Sequence, residues 1–435
     1  MKVFVYPFGT EIAFEIYRSL SKVKNIELFG GTSDDNNHGF YVYDNIITDL
    51  QFISDSSSKE EVKIFANQIE KYNFDFIYPA MDGCVTKFAE YRDVFSAEVI
   101  APDFPVAEVT RSKSKTYDLL KDVVKIPFVY KNLSEVKTFP VFVKPDIGQG
   151  SVGAKKINDA EELEKALSLN PKLLILEYLP DEEYTVDCFS NINGELIFNC
   201  CRRRIRMKNG ISMSCDLFQD TKIDEIAKKI STKIKNVGGW FFQLKKNVTG
   251  DYVLLEVASR IAGTSGFTRC IGVNLPLLTI YSFQGQCIQE IPLVGYKKLH
   301  IDRALYNTYK SDLIFDSVYV DYDDTIVING KLNIQLISFL FSCIDVGKPI
   351  YLLSRHDDEK LGNLDDLLHQ YHIESLFTEV IHIGLEEKKS DYIKSDKAIF
   401  IDDSYGERIS VKKATGIFVF DPSMIEALIP FNHIL

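Results

Sequence analysis

Residues 139–157 read FPVFVKPDIGQGSVGAKKI, a pattern that predicts a strand followed by a loop able to hold phosphate. The apolar run indicates the strand, and Lys144 lies at its end. Four small residues belong to the loop that follows: Gly148, Gly150, Ser151 and Gly153. Because glycine lets the main chain approach a ligand closely, backbone N–H groups there can lie along a phosphate while the lysine supplies a positive charge. Taken alone, the same turn is also typical of a plain hairpin.

A second segment, residues 318–326, reads VYVDYDDTI and places two carboxylates directly after an apolar strand. Asp321 and Asp323 are two residues apart. In a loop of this kind one carboxylate can attack phosphorus while the other protonates the leaving oxygen. The pattern therefore predicts Asp321 as a nucleophile, Asp323 as an acid, and an aspartyl phosphate as the intermediate. The competing interpretation is an acidic turn in a structural domain.

The composition indicates a globular protein of two or three compact domains. The chain has 435 residues, of which 46% are hydrophobic and 26% charged. Its net charge of −12 argues against a broad basic surface for nucleic acid or an anionic membrane. The cysteines form no C-x-x-C pair, so neither a zinc ribbon nor a redox motif is indicated. No apolar run approaches the length of a membrane helix, and we expect a cytoplasmic protein with small-molecule partners.

Strands and helices alternate over residues 1–108, which we interpret as one domain. Gly9 and Thr10 follow an apolar strand and open an amphipathic helix. The elements predicted here are strands at 2–6, 26–29 and 74–78 and a helix at 59–72. Such alternation implies a parallel sheet with a ligand edge at the carboxyl ends of its strands. Glu11 and Asp82 fall at that edge, either as substrate contacts or as helix caps.

The pattern of predicted helices and strands changes twice further along the chain. Residues 109–302 mix helices with hairpin-like strands, which predicts an α+β region of two lobes. Residues 303–312 are interpreted as a linker. Residues 313–435 return to alternation and predict a second, small doubly wound domain. Its expected elements are strands at 317–320, 350–353, 380–383 and 398–401 and a helix at 332–346.

Residues on both sides of the glycine loop also suit a nucleotide site. Lys113 lies in the basic first turn of a predicted helix. Gln243 and Glu256 lie on adjacent predicted strands, and two facing oxygen ligands suit Mg²⁺. Arg260 follows closely. The basic run 202–206 has apolar flanks that favour a strand over a localisation signal.

With these residues in place, residues 1–300 resemble the ATP-grasp superfamily, in the branch that contains carbamoyl-phosphate synthase large chains and carboxylate-amine ligases. The resemblance implies a Rossmann-like pre-ATP-grasp domain over 1–108 and a two-lobed ATP-grasp domain over 109–302. It implies ATP with Mg²⁺, or Mn²⁺ in its place, and allows a homodimer. The residues implied to bind ATP are Lys113, Lys144, Gly148, Gly150, Ser151, Gly153, Glu177, Leu179, Glu183 and Arg202. Gln243 and Glu256 match the metal ligands, and Arg260 matches the arginine that contacts the transferred phosphoryl group.

One position departs from that family's pattern. The family commonly follows its metal-binding glutamate with one residue and then Asn-Pro-Arg. Here the sequence is Glu256-Val257-Ala258-Ser259-Arg260, so the amide ligand is missing. Either a second Mg²⁺ would bind weakly, or water or Ser259 would substitute for the missing amide.

The last domain resembles the haloacid-dehalogenase-like (HAD) hydrolases, a superfamily that includes phosphatases. All four motifs of that superfamily occur in order: the 321–325 segment, a serine, a lysine and an acidic pair. By this resemblance Ser354 and either Lys388 or Lys389 hold the phosphoryl group. The residues assigned to catalysis are Asp321, Asp323, Thr325, Ser354 and Lys389, and those assigned to Mg²⁺ are Asp321, Asp323, Asp402 and Asp403. Only 28 residues separate Thr325 from Ser354, which implies a domain without a cap.

The leading hypothesis is a bifunctional enzyme. One half would be an ATP-dependent carboxylate-amine ligase that forms an acyl phosphate, and the other a Mg²⁺-dependent phosphatase. Its partners would be a carboxylate, an amine and a phosphorylated metabolite. One alternative assigns bicarbonate-activating, carbamoyl-phosphate-type chemistry to the first half. Another leaves the phosphatase active and makes the first half a regulatory nucleotide-binding module, with Ala258 as its support.

Overall fold

The computed structural model describes residues 1–150, 152–208, 210–304 and 312–429. The chain divides into two compact units, Met1–Leu305 and Tyr306–Leu435. Ser151 and most of the predicted linker lie outside the described residues. Within the described ranges, no helix combines the length and the hydropathy needed to cross a bilayer.

The first unit begins with a five-stranded parallel sheet in the order β3-β2-β1-β4-β5. In chain order its elements are β1 Lys2–Tyr6, α1 Glu11–Leu20, β2 Glu27–Gly31, β3 Asn45–Ile47, α2 Lys59–Glu70, β4 Phe76–Pro79, α3 Asp82–Glu90, β5 Glu98–Val99 and α4 Phe104–Arg111. Strand β1 is apolar on both faces because the sheet is covered on both sides. Thr10 caps α1 by accepting a hydrogen bond from the Ala13 N–H at 3.1 Å. The predicted parallel sheet is therefore confirmed.

A four-stranded antiparallel sheet follows, in the order β6-β9-β7-β8. Its elements are α5 Lys113–Leu120, β6 Val129–Tyr130, β7 Val141–Pro145, β8 Lys155–Ile157, α6 Ala160–Leu169 and β9 Leu173–Glu177. Strand β7 is the one predicted before the glycine loop, and its residues Val141 and Val143 are buried in a small apolar core. The glycine loop therefore leaves the sheet directly from a rigid strand.

A six-stranded antiparallel sheet completes the first unit, in the order β14-β13-β10-β11-β12-β15. Its elements are β10 Glu183–Ser190, β11 Leu196–Lys208, β12 Ile211–Phe218, α7 Thr221–Lys233, β13 Gly238–Lys246, β14 Tyr252–Ala258, α8 Gly266–Cys270, α9 Leu275–Phe283 and β15 His300–Asp302. Trp240 and Tyr184 are fully buried in its core. The basic run 202–206 lies on β11, which confirms the strand interpretation.

The second unit contains a five-stranded parallel sheet in the order β20-β19-β16-β21-β22. Its elements are β16 Ser317–Val320, β17 Val327–Ile328, β18 Lys331–Leu332, α10 Ile334–Asp345, β19 Ile350–Ser354, α11 Asp358–Leu361, α12 Leu364–Gln370, β20 Glu379–His382, β21 Ala398–Ile401, α13 Tyr405–Thr415 and β22 Phe418–Phe420. The strands β16, β19 and β21 end side by side, so the residues that follow them meet at one edge. Only the β17–β18 hairpin and α10 stand between β16 and β19.

Candidate functional sites

A cavity of about 350 Å³ lies within the first unit, lined by residues of both antiparallel sheets. Its volume is within the usual range of a small-molecule site. Phe142, Leu176 and Leu179 give it an apolar side. The structure brings most of the predicted nucleotide residues to its lining: Lys113, Lys144, Gly148, Gly150, Glu177, Leu179, Glu183, Gln243 and Glu256. Gly153 belongs to the same loop but is not a lining residue.

Lys144 lies deep in this cavity. Its ammonium Nζ donates to the carbonyl of Leu255 at 2.9 Å and lies 5.5 Å from the ring centre of Tyr117. Burial disfavours the charged form and lowers the pKa of Lys144 to about 8, although nearby Glu256 acts in the opposite direction. A negatively charged ligand would compensate the ammonium for the favourable hydration that it loses on burial.

The glycine loop is attached to the first helices of this region. Lys113 Nζ lies 3.3 Å from the carbonyl of Asp146 and 3.5 Å from that of Gly148. Arg111 donates to the Gly148 carbonyl at 3.2 Å and holds Asp55 through two hydrogen bonds of 2.6 and 2.8 Å. Gly150 has φ +61°, a left-handed backbone conformation that residues with a side chain rarely adopt. The sequence indicated the loop but not its attachment to Asp55.

Gln243 and Glu256 face each other as register partners on β13 and β14. Both also line a neighbouring cavity of about 260 Å³, together with Thr10, Glu11 and Arg303. An amide oxygen and a carboxylate are oxygen donors of the kind that Mg²⁺ accepts. The donor set therefore fits the predicted metal, and it lies where the two cavities meet.

Arg260 lines the second cavity and pairs with Asp82 through hydrogen bonds of 2.7 and 2.8 Å. Burial alone would raise the pKa of the Asp82 carboxyl, but the arginine outweighs burial and lowers it. Asp82 opens α3 without capping it, so its side chain serves the arginine and not the helix. Glu11 pairs with Arg303 at 3.0 Å, and sequence reasoning missed this arginine.

Arg202 is not brought to either cavity. Its guanidinium is fully buried and holds Asp187 through hydrogen bonds of 2.7 and 2.9 Å, with Thr264 as a further partner. Arg204, on the same face of β11, lines both cavities and pairs with Glu183. The two-residue spacing of Arg202 and Arg204 indicates that both lie on one face of the strand. The spacing does not indicate which of the two lines the cavities and which is buried away from them.

Ala258 occupies the position where the resembling family has an amide ligand. It lines a small polar pocket next to Glu256 and Arg260. The hydroxyl of Ser259 is hydrogen-bonded to Thr110 at 2.7 Å and to Asn236 at 2.5 Å. The hydroxyl of Ser259 is therefore engaged within the protein itself.

The second unit gathers three carboxylates at the shared edge of its sheet. Asp321 follows β16, and Asp402 and Asp403 follow β21; each has a carboxylate oxygen within 4.8 Å of the others. Lys389 Nζ lies 2.7 Å from Asp321 and 2.6 Å from Asp402, whereas Lys388 is exposed. Of the two lysines, Lys389 is thus the one that lies beside the carboxylates.

The electrostatics of this cluster suit a cation. Burial raises the pKa of the Asp321 carboxyl despite the lysine, and burial together with Asp321 raises that of Asp402. One lysine does not fully offset three carboxylates at this distance, so a divalent cation fits the charge and the oxygen donors. Ser354 ends β19 and is almost fully buried, and Thr325 Oγ1 accepts from the Asp403 N–H at 3.0 Å.

Asp323 has a different environment. Its carboxylate oxygens lie 2.9 and 3.0 Å from Nδ1 of His356, and its side chain is not a member of the three-carboxylate cluster. Burial would lower the pKa of His356, but Asp323 and the Gly362 carbonyl raise it. Sequence reasoning missed His356; its position two residues after Ser354 was the only signal.

Two solved structures are similar to this chain in fold. Biotin carboxylase from Campylobacter jejuni matches with a TM-score of 0.57 and 16% identity, covering 69% of this chain and 74% of that one. N5-carboxyaminoimidazole synthetase from Staphylococcus aureus matches with a TM-score of 0.54 and 13% identity, covering 67% of this chain and 80% of that one. At these identities the likeness shows the fold alone.

Sequence comparison agrees with that class. Residues 169–301 match the family described as "ATP-grasp in the biosynthetic pathway with Ter operon". The D-alanine–D-alanine ligase of Fusobacterium nucleatum is 28% identical over 138 residues, which are 30% of this chain. The chain spans about half the length of this curated relative, 47%. The chain therefore has a mixed α/β, ATP-grasp-like fold.

Proposed function

We propose that this protein is a bifunctional enzyme in which an ATP-dependent carboxylate-amine ligase is joined to a Mg²⁺-dependent phosphatase. One observation carries the ligase half: a single cavity collects two lysines, a glycine loop and a facing pair of oxygen donors from separate segments. The match to a D-alanine–D-alanine ligase supports the same reaction class. The three-carboxylate cluster with Lys389 supports the phosphatase half.

In the ligase half, Lys113 and Lys144 would hold the ATP phosphates while the glycine loop covers them. Glu177 and Leu179 would edge the adenine at the apolar side of the cavity, and Glu183 would bind the ribose. Gln243 and Glu256 would bind Mg²⁺, which would neutralise phosphate charge. We assign no ATP contact to Arg202, because Asp187 holds it; Arg204 takes its place in the phosphate pocket.

The acid and the amine would occupy the 260 Å³ cavity, which shares Gln243 and Glu256 with the nucleotide cavity. A carboxylate is a poor electrophile, so it first receives the γ-phosphoryl group. The amine then attacks the carbonyl carbon of the acyl phosphate, the bond from that carbon to the phosphate oxygen breaks, and phosphate leaves with the proton that the amine loses. Positioning and charge neutralisation supply most of the acceleration in such transfers, which accounts for a site without an obvious nucleophile.

In the phosphatase half, an Asp321 oxygen would attack phosphorus while the bond to the leaving oxygen breaks. The electron pair of that bond goes to the leaving oxygen, which takes the proton of the Asp323 carboxyl. A water molecule then gives a proton to Asp323 and attacks the phosphorus of the aspartyl phosphate. The bond between phosphorus and Asp321 breaks, so phosphate is released and the Asp321 carboxylate is regenerated. Ser354 and Lys389 would hold the phosphoryl oxygens, and Asp321, Asp402 and Asp403 would bind Mg²⁺.

One observation favours a second candidate for the first half, a regulatory nucleotide-binding module. Ala258 supplies no metal ligand, and Ser259 is engaged by Thr110 and Asn236. A site with one fewer ligand would bind the nucleotide and transfer its phosphoryl group slowly or not at all.

The decisive experiment is ADP release from Mg-ATP by the purified protein. It is run with pooled sugar acids and amino acids, with and without amines and amino-alcohol phosphates, and with bicarbonate as a separate arm. ADP is the readout because free phosphate can come from either half. ADP that requires both a carboxylate and an amine supports the ligase, and ADP with bicarbonate alone supports the carbamoyl-phosphate alternative. ATP binding without ADP supports the regulatory module.

A further inference from the structure

His356 is buried beside the second site, with only 1% of its side chain exposed. Its Nε2 lies 2.7 Å from the carbonyl of Gly362, and its Nδ1 lies 2.9 and 3.0 Å from the two oxygens of Asp323. The ring of Tyr322 meets it edge to face at 5.5 Å. The imidazole is thus fixed in position on three sides.

The partners of the ring also fix its orientation. A carbonyl oxygen only accepts hydrogen bonds, so Nε2 must donate to Gly362. The other nitrogen, Nδ1, is therefore the one turned to Asp323. Asp323 is about one third exposed, 35%, whereas the ring that holds it is enclosed. A buried, doubly anchored ring thus holds a carboxyl group that is about one third exposed.

We propose that His356 is the positioning residue for leaving-group protonation, because it fixes the Asp323 carboxyl outside the cluster of Asp321, Asp402 and Asp403. This inference rests on the proposed phosphatase function. The proton of Asp323 must reach the leaving oxygen as the phosphorus–oxygen bond breaks, so the carboxyl has to face that oxygen in one orientation. Without the ring, the carboxyl would rotate freely or turn toward the cation of the neighbouring cluster.

Leaving groups of different basicity reveal this role. A p-nitrophenolate leaves without a proton, whereas the alkoxide from an alkyl phosphate such as glycerol 2-phosphate requires one. A residue that only supports the fold would change kcat/KM for both esters by the same factor. A residue that positions the acid would change the ratio of the two.

Two substitutions separate the contacts of the ring. His356→Gln places its amide near the position of Nε2, so it keeps the Gly362 contact and loses Asp323. His356→Asn places its amide near the position of Nδ1, so it keeps Asp323 and loses Gly362. We expect H356Q to lower kcat/KM for glycerol 2-phosphate at least about tenfold more than for p-nitrophenyl phosphate, since general acid catalysis contributes about 10²–10⁴-fold. H356N should retain the wild-type ratio.

Asp323→Asn provides the reference for complete loss of the acid. H356Q added to D323N should cause no further change in the ratio, because both act on one step. Should H356Q not fold, His356→Leu fills the same buried space and also removes the Asp323 contact. An unchanged ratio in the folded variant overturns the inference. Wild-type protein that hydrolyses neither ester, nor any other phosphomonoester tested with Mg²⁺, overturns the proposed phosphatase function instead.

Discussion

Lys144 is a buried lysine in the lining of the first candidate site. An ordinary lysine is charged throughout the physiological range, but burial lowers the pKa of Lys144 to about 8. The ammonium is therefore present below about pH 8 and is progressively lost above it. A phosphate ligand would pair with the charged form, so nucleotide binding at the proposed site would be linked to protonation of this lysine.

We expect nucleotide affinity to fall as the pH rises above about 8, because the free protein must then take up a proton to bind phosphate. Isothermal titration with ADP and Mg²⁺ between pH 6.5 and 9.5 measures this. Lys144→Arg should flatten the profile, since guanidinium stays charged. Between about pH 8 and the ordinary lysine value the unfolded chain binds more protons, so the unfolding free energy of the wild type should also rise with pH. A wild-type affinity that stays constant to pH 9.5 would contradict the assignment of Lys144 to phosphate.

Arg202 and Asp187 form a buried ion pair between two strands of the six-stranded sheet. Neither side chain has any exposed surface. Removing one partner leaves the other charge buried and uncompensated, so Asp187→Asn should lower the unfolding free energy by about 3–5 kcal/mol. The double variant Asp187→Leu with Arg202→Met should recover most of the loss. Urea unfolding measures both.

The exposed pair of Lys59 and Asp93 is the matched control for this prediction. It has a similar separation, 2.9 Å, but both side chains are largely in solvent. Asp93→Asn should leave the unfolding midpoint unchanged. A D187N variant as stable as D93N would mean that the buried pair is not coupled to the fold.

At the scale of elements, the glycine loop depends on a residue outside it. Arg111, at the end of α4, joins the Gly148 carbonyl to Asp55, which precedes α2. The loop can therefore be fixed on one side by the arginine and on the other by strand β7. Because the contact spans 37 residues between Arg111 and Gly148, a change far from the loop in sequence can loosen it.

Arg111→Gln should weaken nucleotide binding about tenfold, since one or two hydrogen bonds to a charged group are lost at a cost of about 1.5–3 kcal/mol. Limited proteolysis should show faster cleavage within residues 146–153. Lys59→Gln serves as the control, because it breaks an exposed ion pair in the same part of the chain. Equal affinity in both variants would show that the loop is ordered without Arg111.

The sequence predicted seven of the ten strands of the two parallel sheets, for a physical reason. Buried strands need short apolar runs, and β16 and β21 begin and end where those runs do. Strands β3, β5 and β22 were not predicted, because each is only two or three residues long and too short to give a pattern. The ion pairs were beyond prediction because their partners are distant: 56 residues separate Arg111 from Asp55, and 178 separate Arg260 from Asp82. Arg202 was misplaced for the same reason, since its partner Asp187 lies on another strand.

At the scale of the whole molecule, the chain carries two candidate phosphate sites, each built within one compact unit. Each unit has its own apolar core. Sites with no shared residues should respond independently to substitution. The proposed bifunctionality can thus be tested with one protein and two variants.

Glu256→Gln should lower ADP formation about 100-fold or more, because it removes the charged member of the proposed metal pair. The same variant should keep phosphomonoesterase activity within about twofold of wild type. Asp321→Asn should give the opposite result, with no phosphate release from a phosphomonoester and unchanged ADP formation. Both rates are measured on each variant at equal protein concentration. Loss of both activities in either variant would mean that the sites are coupled or that there is only one.

The pairing of Arg260 with Asp82 has a consequence for inhibition. The arginine proposed to contact the transferred phosphoryl group already holds an internal anion through two hydrogen bonds. Any small anion that enters the site competes with this tethered carboxylate, whose local concentration far exceeds that of a solute. Inorganic phosphate and sulfate should therefore be feeble inhibitors, whereas a substrate that brings further contacts displaces Asp82. The Asp82 carboxylate would thus disfavour small inorganic anions at Arg260 and leave the arginine to a ligand held by several contacts.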